Sequence, residues 1–182
     1  TVKGDLSVSG NSNLKDTTVN GSLGVTGDQN VGGSSTITGN STVKGDSITE
    51  GNNTTNGNST VKGDLSVSGN SNLKDTTVNG SLGVTGDQNV GGSSTITGNS
   101  TVKGDLSVSG NSNLKDTTVN GSLGVTGDQN VGGSSTITGD QNVGGSSTIT
   151  GNSTVKGDLS VSGNSNLKDT TVNGSLGVTG DQ

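Results

Sequence analysis

The chain contains no cysteine, histidine, proline, methionine or aromatic residue. It also lacks alanine and arginine. Without cysteine there are no disulfides and no thiolate metal sites, a lack compatible with an extracellular setting. Aromatic side chains each bury a large area in an ordinary core, so a conventional two-layer globular domain is not expected. All nine basic residues are lysines, scattered singly, and the net charge is −6. Nothing here forms the basic stripe that nucleic acid requires. No apolar run approaches the length of a membrane span.

What remains is Gly, Ser, Thr, Asn and Asp, with a 21% hydrophobic fraction made only of Val, Leu and Ile. Such a composition borders on that of disordered linkers. Charged residues are only 13% of the chain, however, so repulsion does not force it apart. The order of the residues decides the matter. A 41-residue unit, TVKGDLSVSGNSNLKDTTVNGSLGVTGDQNVGGSSTITGNS, starts at Thr1, Thr60, Thr101 and Thr154. The starts are 59, 41 and 53 residues apart, so the first and last intervals exceed the unit by 18 and 12. The two extras are residues 42–59 and a duplicated TITGDQNVGGSS at about 136–147.

Both extras are multiples of six, and the aliphatic residues keep that beat. In the first copy they stand at Val2, Val8, Leu14, Val19, Val25, Val31, Ile37 and Val43, with one gap of five after Leu14. Gly follows two residues later at most of them, then Asp or Asn, as in Gly4-Asp5, Gly10-Asn11 and Gly27-Asp28. The hexad is x-[VIL]-x-G-[DN]-x. Six is neither a helical nor a heptad period. A Val between Ser, Thr or Lys reads as a short strand with one side chain inward. Gly-Asx reads as a turn in which Gly takes positive φ. The residue two before each aliphatic also points inward: Leu6, Ser12, Thr17, Leu23, Gln29, Ser35 and Ser41. A fixed period of this kind marks a solenoid, whose units bury a face only by stacking. The expected fold is therefore an all-β hexad-repeat β-helix, one continuous rod over residues 1–182. The five-residue hexad Asn13–Thr17 returns at Leu73, Leu114 and Leu167 and predicts either a tighter corner or one that lacks the Gly turn, since Asp16 stands where Gly is expected. Residues 47–59 keep the phase least well, with Glu50 read in a Gly place and Thr54 in an aliphatic one, and the weakest packing is expected there.

The V-x-G beat in a Thr/Ser/Asn-rich chain resembles the shafts of bacteriophage tail fibres and needles. That resemblance implies an intertwined three-chain β-helix on a virion or cell surface. It covers the whole chain, although that family also uses eight-residue V-x-G repeats and this chain uses six. The hexads are also similar to those of left-handed β-helical acyltransferases, with Ser12 and Ser35 at the small inward position. Acyltransferases use a catalytic His, and this chain has none. The V-x-G-D units are similar to those of bactofilin-like single-chain solenoids.

No residue stands out as catalytic, cofactor-binding or metal-ligating, and no cofactor is implied. Val2-Lys3-Gly4-Asp5 and Leu14-Lys15-Asp16 read as outward charge pairs, worth little individually. GDQNVGG at Gly27–Gly33 lacks the nonapeptide period of calcium-binding glycine repeats and reads as Asx turns. The Gly-rich stretches have no Gly-Lys-Ser/Thr ending that would cradle phosphate. N-glycosylation sequons at Asn20, Asn40, Asn52, Asn53, Asn58, Asn79, Asn99, Asn120, Asn152 and Asn173 read as outward polar corners. Threonine rows such as Ser35-Thr36-Ile37-Thr38 raise ice binding. That needs an 18-residue register, which the 41-residue unit and the 12-residue extra are expected to break.

The expected function is a non-catalytic structural shaft or spacer of a phage-type fibre or extracellular appendage, holding a distal binding module outside this segment. The alternative is a self-assembling filament of stacked single-chain solenoids; ice binding comes last. The expected partner is the chain itself, as a homotrimer or an end-to-end polymer, with neither nucleic acid nor membrane insertion involved. An intertwined homotrimer is preferred to the alternative, a single-chain three-sided solenoid, for three reasons. The inward set looks thin for one chain. Gln29 suits a symmetry axis. The 12-residue extra would turn a single-chain coil by two-thirds of a turn.

Overall fold

The structure is a computed structural model that describes residues 1–182. Almost every hexad becomes a three-residue strand and a three-residue corner, and there is no helix. The first four strands are β1 (Leu6–Val8), β2 (Ser12–Leu14), β3 (Thr17–Val19) and β4 (Leu23–Val25). β4 comes back alongside β1 and pairs with it in parallel, Leu6 opposite Leu23 and Val8 opposite Val25. The same relation runs down the chain, so three strands close one coil and each face stacks strand on strand. Two longer strands, Ser147–Val155 and Ser165–Val172, pass a corner and serve two faces each. They join two faces into one eighteen-stranded sheet, while the third face is a separate ten-stranded sheet. The chain thus makes about ten coils, a rod of roughly 50 Å at the usual strand spacing.

The all-β repeat solenoid is as expected, and its winding is that of the single-chain, three-sided alternative. Each strand finds its neighbour on the next coil of the same chain, so a rung closes without a second copy. Each of the reasons for expecting a trimer has an answer within one chain. Every strand turns two residues inward, so six side chains fill each rung, and Val19, Leu23, Val25, Val43 and Val61 belong to one continuous core. Gln29 is buried among them and accepts a hydrogen bond from Ser47 Oγ at 3.3 Å. The 12-residue extra adds two strands to a unit of seven. Nine strands are three whole coils, so the third and fourth copies lie in the same phase.

The five-residue hexad is the device that makes a 41-residue unit fit. Its corner has two residues, Lys15-Asp16, where others have three. Partners across a coil that contains it are 17 residues apart, as in Leu6 with Leu23. Elsewhere the spacing is 18, as in Ser41 with Ser59. Strand number, not residue number, sets the register, and the shortened corner loses length without losing a strand.

The corner glycines hold a correction. No glycine, and no other residue, has positive φ. Gly is needed because consecutive corners lie directly on one another. A Cβ on Gly63 would sit 2.8 Å from the carbonyl carbon and oxygen of Gly45, one coil back. Gly63 N–H donates to that same Gly45 oxygen at 3.1 Å.

A second correction concerns residues 47–59, which keep the phase. The inward places are Thr49 and Thr55, one residue away from Glu50 and Thr54, and Gly51 and Gly57 occupy the corners. The aliphatic Ile48 points outward and is 45% exposed.

Candidate functional site

Three corner ladders and three flat faces make up the surface. In each ladder the residue after the corner glycine reaches along the rod axis. Asp28 N–H donates to Asn11 Oδ1 at 3.0 Å, Asp46 N–H to Asp28 Oδ1 at 3.0 Å, and Asp64 N–H to Asp46 Oδ1 at 2.9 Å. Ser22 and Ser34 fill the same place with a hydroxyl, accepting from Asn40 N–H at 3.3 Å and Asn52 N–H at 3.1 Å. Asp16 in the shortened corner does so too, accepting from Ser34 N–H at 3.1 Å. Each such bond satisfies a backbone donor that the tight corner leaves without a strand partner.

This changes the reading of the Lys-Asp pairs. Asp5 accepts from Ser22 N–H at 2.7 Å, a coil-to-coil bond, while Lys3 is exposed. The carboxylate serves the backbone; the lysine covers the outside. GDQNVGG is likewise divided three ways: Asp28 in the ladder, Gln29 in the core, Asn30 on the face. Nowhere do three His, Cys, Asp or Glu side chains converge in a way that could hold a metal ion.

Seven of the ten sequons fall into three kinds. Asn40 and Asn52 are ladder residues, accepting from Asn58 N–H and Asn70 N–H, both at 2.9 Å. Asn20, Asn79, Asn120 and Asn173 are exposed just after a strand. Asn53 departs from the expected outward corner: it is 6% exposed and points into the core. Its inward phase was legible from its place two residues before Thr55.

The flat faces carry files of outward side chains. The longest threonine file is Thr101, Thr118, Thr136, Thr154 and Thr171, in unbroken register across five coils. The repeat length therefore does not break the register as expected, because the seventeen-residue coils absorb it. One residue past each inward aliphatic, the neighbouring file reads Lys103, Asn120, Thr138, Lys156 and Asn173. It is a single threonine file beside a mixed one, not a two-dimensional array. An adjoining face carries asparagine pairs: Asn130 Nδ2 donates to Asn113 Oδ1 at 3.2 Å.

One concavity lies at the C-terminal end of the rod, beside Leu167, Leu176 and Gln182; the others are grooves on the faces. One groove is lined by Thr95, Thr97, Asn113, Lys115 and Asn130 among others. No nucleophile–base pair lines it. No family model, curated protein or solved structure matches the chain.

Proposed function

We propose that the chain is a structural rod: a spacer of set length in a fibre or surface appendage outside the cell. Its action is mechanical. Parallel backbone ladders and the Asx ladders resist bending and extension, and a distal binding module carried by the same fibre does the recognising. The observation that supports this most is uniformity. The same corner stacking and the same ladder recur from coil to coil while the core and face residues vary. A surface built for one ligand would concentrate its polar groups; here they are spread along the axis.

The test is a ruler experiment. Two fluorescent modules are fused to the ends of rods from which whole coils have been removed or added. Their separation is expected to change by about 4.8 Å per coil. A separation that follows the square root of chain length, as a flexible linker does, overturns the reading. Scattering and mass on the same samples tell a monomeric rod of roughly 50 Å from a three-chain fibre of roughly 140 Å. Hydrolytic or transferase activity that is lost on substituting Lys3 or Asp5 and their repeats would make the chain an enzyme instead.

A further inference from the structure

Five Asn-Gly dipeptides occur, at Asn20, Asn56, Asn79, Asn120 and Asn173. Asn-Gly is the dipeptide most open to attack by its own backbone: the glycine nitrogen reaches the asparagine side-chain carbonyl with no Cβ in the way. In this fold the attack depends on whether that nitrogen is tied to the coil behind. Gly57 N–H donates to Gly39 oxygen at 3.1 Å, Gly80 N–H to Gly63 oxygen at 3.1 Å, Gly121 N–H to Gly104 oxygen at 3.2 Å, and Gly174 N–H to Gly157 oxygen at 3.1 Å. Gly21 is stacked on Gly4 in the same way, yet its N–H has no backbone acceptor. A second difference, from Asn79 and Asn120 alone, lies on the carbonyl side. The Thr97 and Thr138 hydroxyls of the next coil donate to the Asn79 and Asn120 carbonyl oxygens. At the equivalent place Thr38 donates to the Val19 oxygen at 3.3 Å and leaves Asn20 free.

We propose that Asn20–Gly21 is a site of spontaneous covalent modification, deamidating through a succinimide while the other Asn-Gly pairs are held by the coil. The Gly21 nitrogen loses its proton to solvent base and attacks Asn20 Cγ. The new N–Cγ bond forms, the Cγ–Nδ2 bond breaks, and ammonia leaves with a proton. Water then opens the ring at either carbonyl, giving aspartate or isoaspartate. No electrons are transferred, and one carboxylate is gained. The new charge appears one coil from Lys3, close to Asp5, whose Oδ1 already accepts from Ser22 N–H at 2.7 Å. An isoaspartyl linkage adds a methylene to the backbone between Val19 and Leu23, both paired residues. The modification therefore loosens one identified coil as the rod ages.

The experiment follows the intact protein by ion exchange and mass during incubation in mildly alkaline buffer. The probes are wild type, Asn20→Gln, Asn79→Gln and Asn120→Gln. Asn20 is exposed, and circular dichroism checks that each variant is folded. Wild type is expected to show one fast amide-to-acid step followed by much slower ones, with the fast step lost only in Asn20→Gln. In denaturant all five sites are expected to react at similar rates. A fast step that survives in Asn20→Gln, or that is lost in Asn79→Gln or Asn120→Gln, overturns the assignment. So does a folded protein whose sites react as evenly as the unfolded one.

Discussion

Two adjacent coils share a backbone and differ in what they enclose. The third coil turns Ser41, Val43, Ser47, Thr49, Asn53 and Thr55 inward; the fourth turns in Ser59, Val61, Leu65, Val67, Ser71 and Leu73. One holds a single aliphatic side chain, the other four. Their strands nevertheless pair in register, Ser47 with Leu65 and Thr49 with Val67. The local path is set by the corners and ladders. The core adds stability to a path already drawn, which is why a nearly polar coil can be spliced between apolar ones. In a solenoid each coil leans only on its neighbours, so the third coil borrows from those on either side.

The most damaging way to break this comparison is at a corner. Gly63→Val puts a side chain where the Gly45 backbone lies 2.8 Å away. It is expected to cost more than about 4 kcal/mol, at the top of the range for single substitutions, and to unfold the adjacent coils in a chemical melt. Gly83, in mid-strand, has open space around its Cβ position. There Gly83→Thr is expected to be neutral or stabilising by up to about 1 kcal/mol, since strands prefer a β-branched residue. Equal effects at the two glycines would mean that corner stacking does not set the path.

Next in size is the core itself. Leu65 is 1% exposed, between Ser47 and Leu82 in its file. Leu65→Ser makes the fourth coil resemble the third and is expected to cost about 3 kcal/mol, the transfer of a leucine plus its cavity. Hydrogen exchange is expected to show the fourth coil opening nearly as readily as the third.

How much of this was legible in the sequence follows the same division. The period predicted the strands, and every inward residue named in the first copy from Ser12 to Ser41 is buried except Leu14, which is half-buried. The role of Gly was misread, because a Gly-Asx pair signals positive φ when taken alone and close stacking only when the coil beneath is known. Residues 47–59 were misread by one place, because Ile48 is an aliphatic on the outside and Thr49 and Thr55 are polar on the inside. Their thin core was still legible from composition. The winding was not, since the hexad pattern is the same in a single-chain coil and in a three-chain one. The ladder role of Asp and Asn was present as a recurrent position but lacked a partner until the coils were stacked. Asn20 could not be told from Asn79 or Asn120 by sequence, for all three sit in the same Val-Asn-Gly-Ser.

The comparison can be sharpened from the other side by repairing the third coil. Thr55 is 2% exposed and its Oγ1 has no hydrogen-bond partner. It stacks between Ile37 and Leu73. Thr55→Val keeps the shape and removes a buried, unpaired hydroxyl, so a gain of about 1–2 kcal/mol is expected. The denaturation midpoint should rise, and exchange should slow most in the third coil. A loss of stability would mean that the hydroxyl is satisfied in solution.

The smallest effect is expected at Ile48, where the sequence pattern looks most wrong. It is the only aliphatic residue in the outward file of its face, which continues through Asn30 and Ser66 on the coils beside it. Almost half of its surface is in water, so its burial contributes little beyond its β-propensity. Thr is also β-branched, and the backbone keeps its pairing with either residue. Ile48→Thr is therefore expected to move stability by no more than about 0.5 kcal/mol, the usual range for a surface substitution. A calorimetric or denaturant melt is sufficient to check it. The contrast with Thr55, seven residues along the chain, is the point of the measurement. Exchanging an apolar for a polar residue outside should be nearly silent, while the reverse exchange inside should stabilise. If Ile48→Thr instead destabilised the rod as much as Leu65→Ser, Ile48 would have to be covered in solution, and this face of the third coil would be an interface rather than a free surface.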